Sequence, residues 1–145
     1  MNHTYEQERA VDVTYCVGIL PLDESRTHAR RVLEAGYDVL KTKAGRDWRH
    51  DVERIIAMDD EVDGQLEFRL NPNQGWRLDE AVRVGAALED AGVYLQSLEQ
   101  PIRVNSHRSL ARLRERTRQP IAPNEDTYIA HNLRSLIEAG APYIK

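Results

Sequence analysis

Cysteine is nearly absent, with Cys16 the one thiol in 145 residues. A lone cysteine excludes a disulfide framework and a cysteine zinc site, and the expectation for it is a buried core thiol rather than a nucleophile. Long apolar runs are missing as well: none approaches the roughly 20 residues of a membrane span. The opening MNHTYEQERA is polar and makes no secretory signal. No basic block interrupts the chain and the net charge is −4, which argues against a nucleic-acid footprint. Runs such as RLRERTR read as a solvated helix face. A glycine-rich phosphate loop is also lacking, because LPLDES follows the first strand candidate. These absences leave a cytoplasmic globular domain as the expectation, with neither membrane nor nucleic acid among its partners. At 41% hydrophobic it is long enough to bury a core.

Lysine is the scarcest of the charged residues. Only Lys41, Lys43 and Lys145 stand among twenty basic residues, and the others are arginine. Arginine stays protonated in proteins, whereas lysine can lose its proton when its surroundings depress its pKa. Two of three lysines placed two residues apart therefore invite a chemical explanation.

Short β-type runs alternate with amphipathic helical runs. After a polar segment at 1–10, the strand candidates are Val11–Leu20, Val39–Lys43, Leu66–Asn71, Val93–Glu99 and Ile121–Ala122. Helices are expected from an N-cap at Asp23 or Ser25 to Ala35, from Asp47 to about Val62, from an N-cap at Asp79 to Ala91, from Asn105 or Ser106 through Leu113, and through Leu133 to Gly140. A stub, APYIK, follows. Such alternation means an α/β protein with a parallel sheet. Two architectures compete: an open, doubly wound sheet of five strands, and part of an eightfold barrel, which needs roughly 250 residues when complete. Periodicity alone leans to the open sheet.

Parallel α/β proteins place their sites at the C-terminal ends of strands. The second strand ends in Lys41-Thr42-Lys43, and residues i and i+2 share one face. Two ammonium groups held together depress each other's pKa, and partial burial lowers it further, which makes a lysine a base near neutral pH. The alternative is a pair of snorkelling lysines at a strand end. The third strand ends in Asn71-Pro72-Asn73-Gln74-Gly75-Trp76, the fourth in Glu99-Gln100-Pro101, the fifth in Pro123-Asn124-Glu125-Asp126. Oxygen ligands converging from neighbouring strands are what a hard cation such as Mg²⁺ requires. Trp76 is expected to pack against the following helix. His3, His28, His50, His107 and His131 show no metal-ligand spacing and read as surface or capping residues.

The segments KTKAG, FRLNPNQGW, SLEQP and PIAPNED, in that order, resemble the barrel domain of the enolase superfamily, in its mandelate racemase and muconate-lactonizing enzyme group. The resemblance runs from about Val11 to Lys145 and implies a parallel (β/α) barrel, here about five units and the start of a sixth. It also implies Mg²⁺-assisted removal of the proton α to a carboxylate, as in a racemase, cycloisomerase or dehydratase, with related ammonia-lyase chemistry in the same superfamily. In that reading Lys43 corresponds to the base, Lys41 to its pKa-lowering neighbour, Glu99 to the fourth-strand metal ligand, and Lys145 to an opposite-face lysine.

The sequence departs from the pattern at the metal. The family's third-strand ligand is Asp, and Asn71 stands here. At the fifth strand Asn124 or Glu125 takes the ligand position. Each amide in place of a carboxylate removes one negative charge and lowers the expected affinity for Mg²⁺. The resemblance further implies a capping domain and last barrel units that 11–145 does not contain. An unclosed barrel is expected to expose strand edges and apolar inner faces, closed by a second copy or a complementing chain. The alternative to an enzyme acting on a small carboxylate is then a non-catalytic or self-assembling half-barrel.

Overall fold

Helix and strand alternate because the apolar pattern changes period along the chain. In Leu66-Glu67-Phe68-Arg69-Leu70 every second residue is apolar, whereas Val52, Ile55 and Ile56 recur at helical spacing. The computed structural model describes residues 13–128 and 130–138. Its elements are β1 (Tyr15–Val17), α1 (Leu22–Glu34), β2 (Val39–Lys43), α2 (Trp48–Glu61), β3 (Glu67–Asn71), α3 (Leu78–Asp90), β4 (Ser97–Glu99), α4 (His107–Arg114), β5 (Ile121–Ala122), a 3₁₀ turn at Glu125–Tyr128, and α5 (Ala130–Glu138).

The five strands are all parallel and lie in the order β1-β2-β3-β4-β5. A doubly wound sheet reverses its strand order part-way to place helices on both faces. No reversal occurs here, so right-handed crossovers put successive helices on one side, as in a barrel. The open-sheet alternative is corrected by this order, and the fold is a partial (β/α) barrel.

Sidedness follows from register. Lys41 pairs with Arg69, Lys43 with Asn71, and Arg69 with Ser97, so these share the face turned away from the helices. The alternate residues Leu40, Phe68, Leu70, Leu98 and Ile121 are almost completely buried. They form one hydrophobic cluster with Ala29 and Val32 of α1, Ile55 and Met58 of α2, Val84 and Leu88 of α3, Leu113 of α4 and Leu136 of α5. The expected apolar inner face is therefore corrected: from β2 to β4 it carries Lys41, Lys43, Glu67, Arg69, Asn71, Ser97 and Glu99, with Val39 its one apolar residue, and the other apolar strand residues lie under the helices.

Several local expectations are also corrected. Cys16 is exposed rather than buried, because it shares the inner-face register of Lys41 on the outermost described strand. The N-cap of α1 is Pro21, with Asp23 and Ser25 inside the first turns. The N-cap of α3 is Arg77, whose N–H donates to the Glu80 carboxylate at 2.8 Å, and Asp79 lies inside the helix. Asp47 does cap α2, accepting from the Arg49 N–H at 3.0 Å. The strands at β1 and β4 are shorter than expected. Part of the first candidate strand, at 11–12, and Gly140 lie outside the described residues.

Candidate functional site

The site gathers where β2, β3, β4 and β5 end. Glu99 closes β4 and is 2% exposed. Its carboxylate is satisfied from three sides: Lys41 Nζ donates to Oε2 at 2.7 Å, and Asn71 Nδ2 and Asn124 Nδ2 donate to Oε1 at 2.8 and 2.9 Å. Lys43 lies one layer further along β2 and donates to Asn73 Oδ1 at 2.6 Å. Each ammonium thus has an oxygen partner of its own. Asn73 also donates from Nδ2 to Glu125 Oε1 at 3.2 Å, and its backbone N–H donates to Asn71 Oδ1 at 2.9 Å. Glu125 Oε2 is buried with no hydrogen-bond partner.

Six of the seven expected residues, Lys41, Lys43, Asn71, Glu99, Asn124 and Glu125, therefore meet through hydrogen bonds at these strand ends. Lys145 lies outside the described residues. Asn73 and Gln100 are the residues whose part the sequence did not show. Gln100 has φ +40° and spends its side chain on the same loops, donating to Ile102 O and Asp126 Oδ2 at 3.0 Å and accepting from the Asn124 N–H at 2.9 Å. A non-glycine residue in that region is strained, and these bonds hold it there. The only sequence signal was position, directly after a strand-end carboxylate.

Behind the site, Arg54 of α2 holds the end of β2 that carries Lys43, and Asp51 holds the loop that follows it. Arg54 is fully buried and donates to the Lys43 carbonyl at 2.5 Å and to Thr42 Oγ1 at 3.1 Å. Asp51 Oδ2 accepts from the Gly45 N–H at 2.8 Å and from Trp76 Nε1 at 3.2 Å. Burial pushes the Asp51 carboxyl above its usual range, against the opposing pull of these bonds and of Arg54. Burial likewise lowers Arg54. Trp76 thus reaches back to α2 through its indole N–H.

The family described as "Enolase C-terminal domain-like" matches residues 24–144. The chain belongs to the enolase C-terminal domain-like family. It is 31% identical over 119 residues to the L-Ala-D/L-Glu epimerase of Bacillus subtilis (strain 168), an alignment covering 81% of this chain and 32% of that protein. The solved substrate-liganded complex of the L-Ala-D/L-Glu epimerase from Bacillus subtilis superposes with a TM-score of 0.86 at 29% identity, covering 92% of this chain and 38% of the other. The dipeptide epimerase from Cytophaga hutchinsonii, solved with Mg and the dipeptide D-Ala-L-Val, gives a TM-score of 0.84 at 25% identity over 94% of this chain and 36% of that one. This enolase-type chain spans about a third of the length of the curated relatives it matches.

Mg²⁺ binding is typical of the enolase family, and the donors of this member do not fit it. A hard dication takes oxygen ligands, and each neutral amide in place of a carboxylate weakens its hold. Of the four candidates only Glu99 and Glu125 are carboxylates, and the charge of Glu99 is balanced by Lys41. Asn71 and Asn124 turn their N–H₂ groups towards Glu99. For Asn71 the backbone N–H of Asn73 fixes that orientation by occupying Oδ1. Among the described residues no group of three or more His, Cys, Asp or Glu comes together to hold a metal ion. The same residues also include no helix long and apolar enough to cross a membrane.

Proposed function

We propose that this chain keeps the fold and lysines of a carbon-acid isomerase and binds a small carboxylate at its strand ends without removing the α-proton. The observation that carries the reading is the saturation of Glu99 by Lys41, Asn71 and Asn124. Removing a proton α to a carboxylate places a second negative charge on the substrate, and without a cation or equivalent donors aimed at that charge the barrier stays high. Binding asks for less. An ammonium carries three N–H groups, so half-buried Lys43 can bridge Asn73 and a substrate carboxylate. The relatives named as dipeptide and Ala-Glu epimerases make a short peptide or amino-acid derivative the natural ligand class.

The test follows the α-proton and the binding of L-Ala-L-Glu together, by NMR in D₂O, with and without Mg²⁺. The expected result is saturable binding that weakens in Lys43→Ala, with no loss of the α-proton signal in either condition. Mg²⁺-dependent exchange that disappears in Lys43→Ala would overturn it.

One observation favours a second reading, a Mg²⁺-dependent epimerase or racemase. The partnerless, buried Glu125 Oε2 is an oxygen that a cation would satisfy. In that case Lys43 takes the α-proton from one face and inversion requires a proton delivered to the opposite face, the part the family resemblance gives to Lys145; the same D₂O experiment reports the exchange directly.

A further inference from the structure

The layers of the inner face place a lysine ammonium beside the candidate metal position. Lys41 is in register with Cys16 on one side and Arg69 on the other. Its ammonium leaves that layer, where its β3 neighbour is another cation, and rises to Glu99, which stands one layer higher beside Asn71. A carboxylate only 2% exposed is costly unless a countercharge and hydrogen bonds accompany it. Lys41 supplies the charge, while Asn71 and Asn124 supply two N–H donors that an aspartate could not. Counted over Lys41, Glu99, Asn71 and Asn124 alone, the formal charges cancel. With aspartate at both amide positions, three carboxylates would crowd one ammonium, leaving two uncompensated negative charges that a dication would neutralise.

We infer that Asn71 and Asn124 convert the metal position of this barrel into a centre in which the Lys41 ammonium is the resident cation. Wild type takes up no Mg²⁺, and Asn71→Asp together with Asn124→Asp turns the same place into a Mg²⁺ site. This rests on the metal-free half of the proposed function and makes no use of the carboxylate ligand.

The test is a thermal-unfolding series on the full chain with EDTA or millimolar Mg²⁺, joined to direct Mn²⁺ binding by EPR. Wild type is expected to unfold at the same temperature in both. The double variant is expected to be less stable than wild type in EDTA, to gain stability on adding Mg²⁺, and to bind Mn²⁺ about tenfold tighter or more than wild type. A wild-type midpoint that rises with Mg²⁺ and falls back with EDTA would overturn the inference, as would a folded double variant indifferent to both ions. If the double variant does not fold even with Mg²⁺, Asn124→Asp decides, since Asn124 is only half-buried. It must show a Mg²⁺-dependent rise that wild type lacks, and without one the inference fails. Wild-type Mg²⁺ uptake would leave Lys43-dependent carboxylate binding standing. A wild type that ignores Mg²⁺ and also fails to bind L-Ala-L-Glu would sink the ligand reading alone.

Discussion

Asp51 joins the loop after β2 to the turn after β3, since one carboxylate oxygen takes both the Gly45 N–H and the Trp76 indole N–H. Burial raises its pKa above the unfolded value, so the folded state holds the Asp51 proton more readily than the unfolded one. Its contribution to stability is fully present below the ordinary carboxylate pKa and is lost as pH rises through the raised value. Asp51→Asn removes that titration. Denaturation of both proteins across a pH series should show wild type losing stability relative to Asp51→Asn as pH climbs from the ordinary carboxylate range past the raised pKa. A difference that stays flat over that span would show that Asp51 titrates as it does in the unfolded chain. Asp51 reads in the sequence only as an acid in the first turn of a helix. Its partners lie 6 and 25 residues away, and no local pattern announces them.

At the scale of elements, the loop after β2 and the turn after β3 interlock through two glycines. Gly45 has φ +103°, and a Cβ there would run into the Pro72 carbonyl; a Cβ on Gly75 would strike the Gly45 backbone. The loop after Lys43 and the turn that carries Asn73 can approach this closely only because Gly45 and Gly75 have no side chain. Gly45→Ala adds both a left-handed penalty and a backbone clash, and is expected to cost about 2 kcal/mol or more. Urea unfolding measures this, and a loss below about 0.5 kcal/mol, the ordinary scatter of harmless substitutions, would show that the loops are not locked together. The strand and helix order, and the strand-end rule that gathers Lys41, Lys43, Asn71, Glu99 and Asn124, were legible because both rest on short-range periodicity. Caps at Pro21 and Arg77 were not, because neither residue has the short acceptor side chain that marks a cap. Nor was the partner of each site residue, since Lys41 to Glu99 spans 58 positions.

For the whole molecule, the decisive property is that the sheet has one apolar face. Periodicity could not settle this, because a doubly wound sheet and a barrel repeat the same strand–helix unit; strand order settles it. The misreading of Cys16 has the same origin, since exposure depends on which side the helices cover. The two architectures differ in what adjacent residues of a central strand contribute. In a doubly wound sheet both neighbours lie under helices, and truncating either is costly. Here Leu70 is fully buried beneath the helices, while Arg69 on the opposite face is half-buried and hydrogen-bonded to Gln96. Leu70→Ala is expected to lose about 2–5 kcal/mol, and Arg69→Ala about 1 kcal/mol or less. Since one hydrophobic cluster runs from Val17 on β1 to Leu136 on α5, the loss should appear as a single transition shared by tryptophan fluorescence and far-ultraviolet circular dichroism. Equal losses at 69 and 70 would mean that the inner face is covered as tightly as the outer one. Two separate transitions would mean that the cluster does not unfold as a unit.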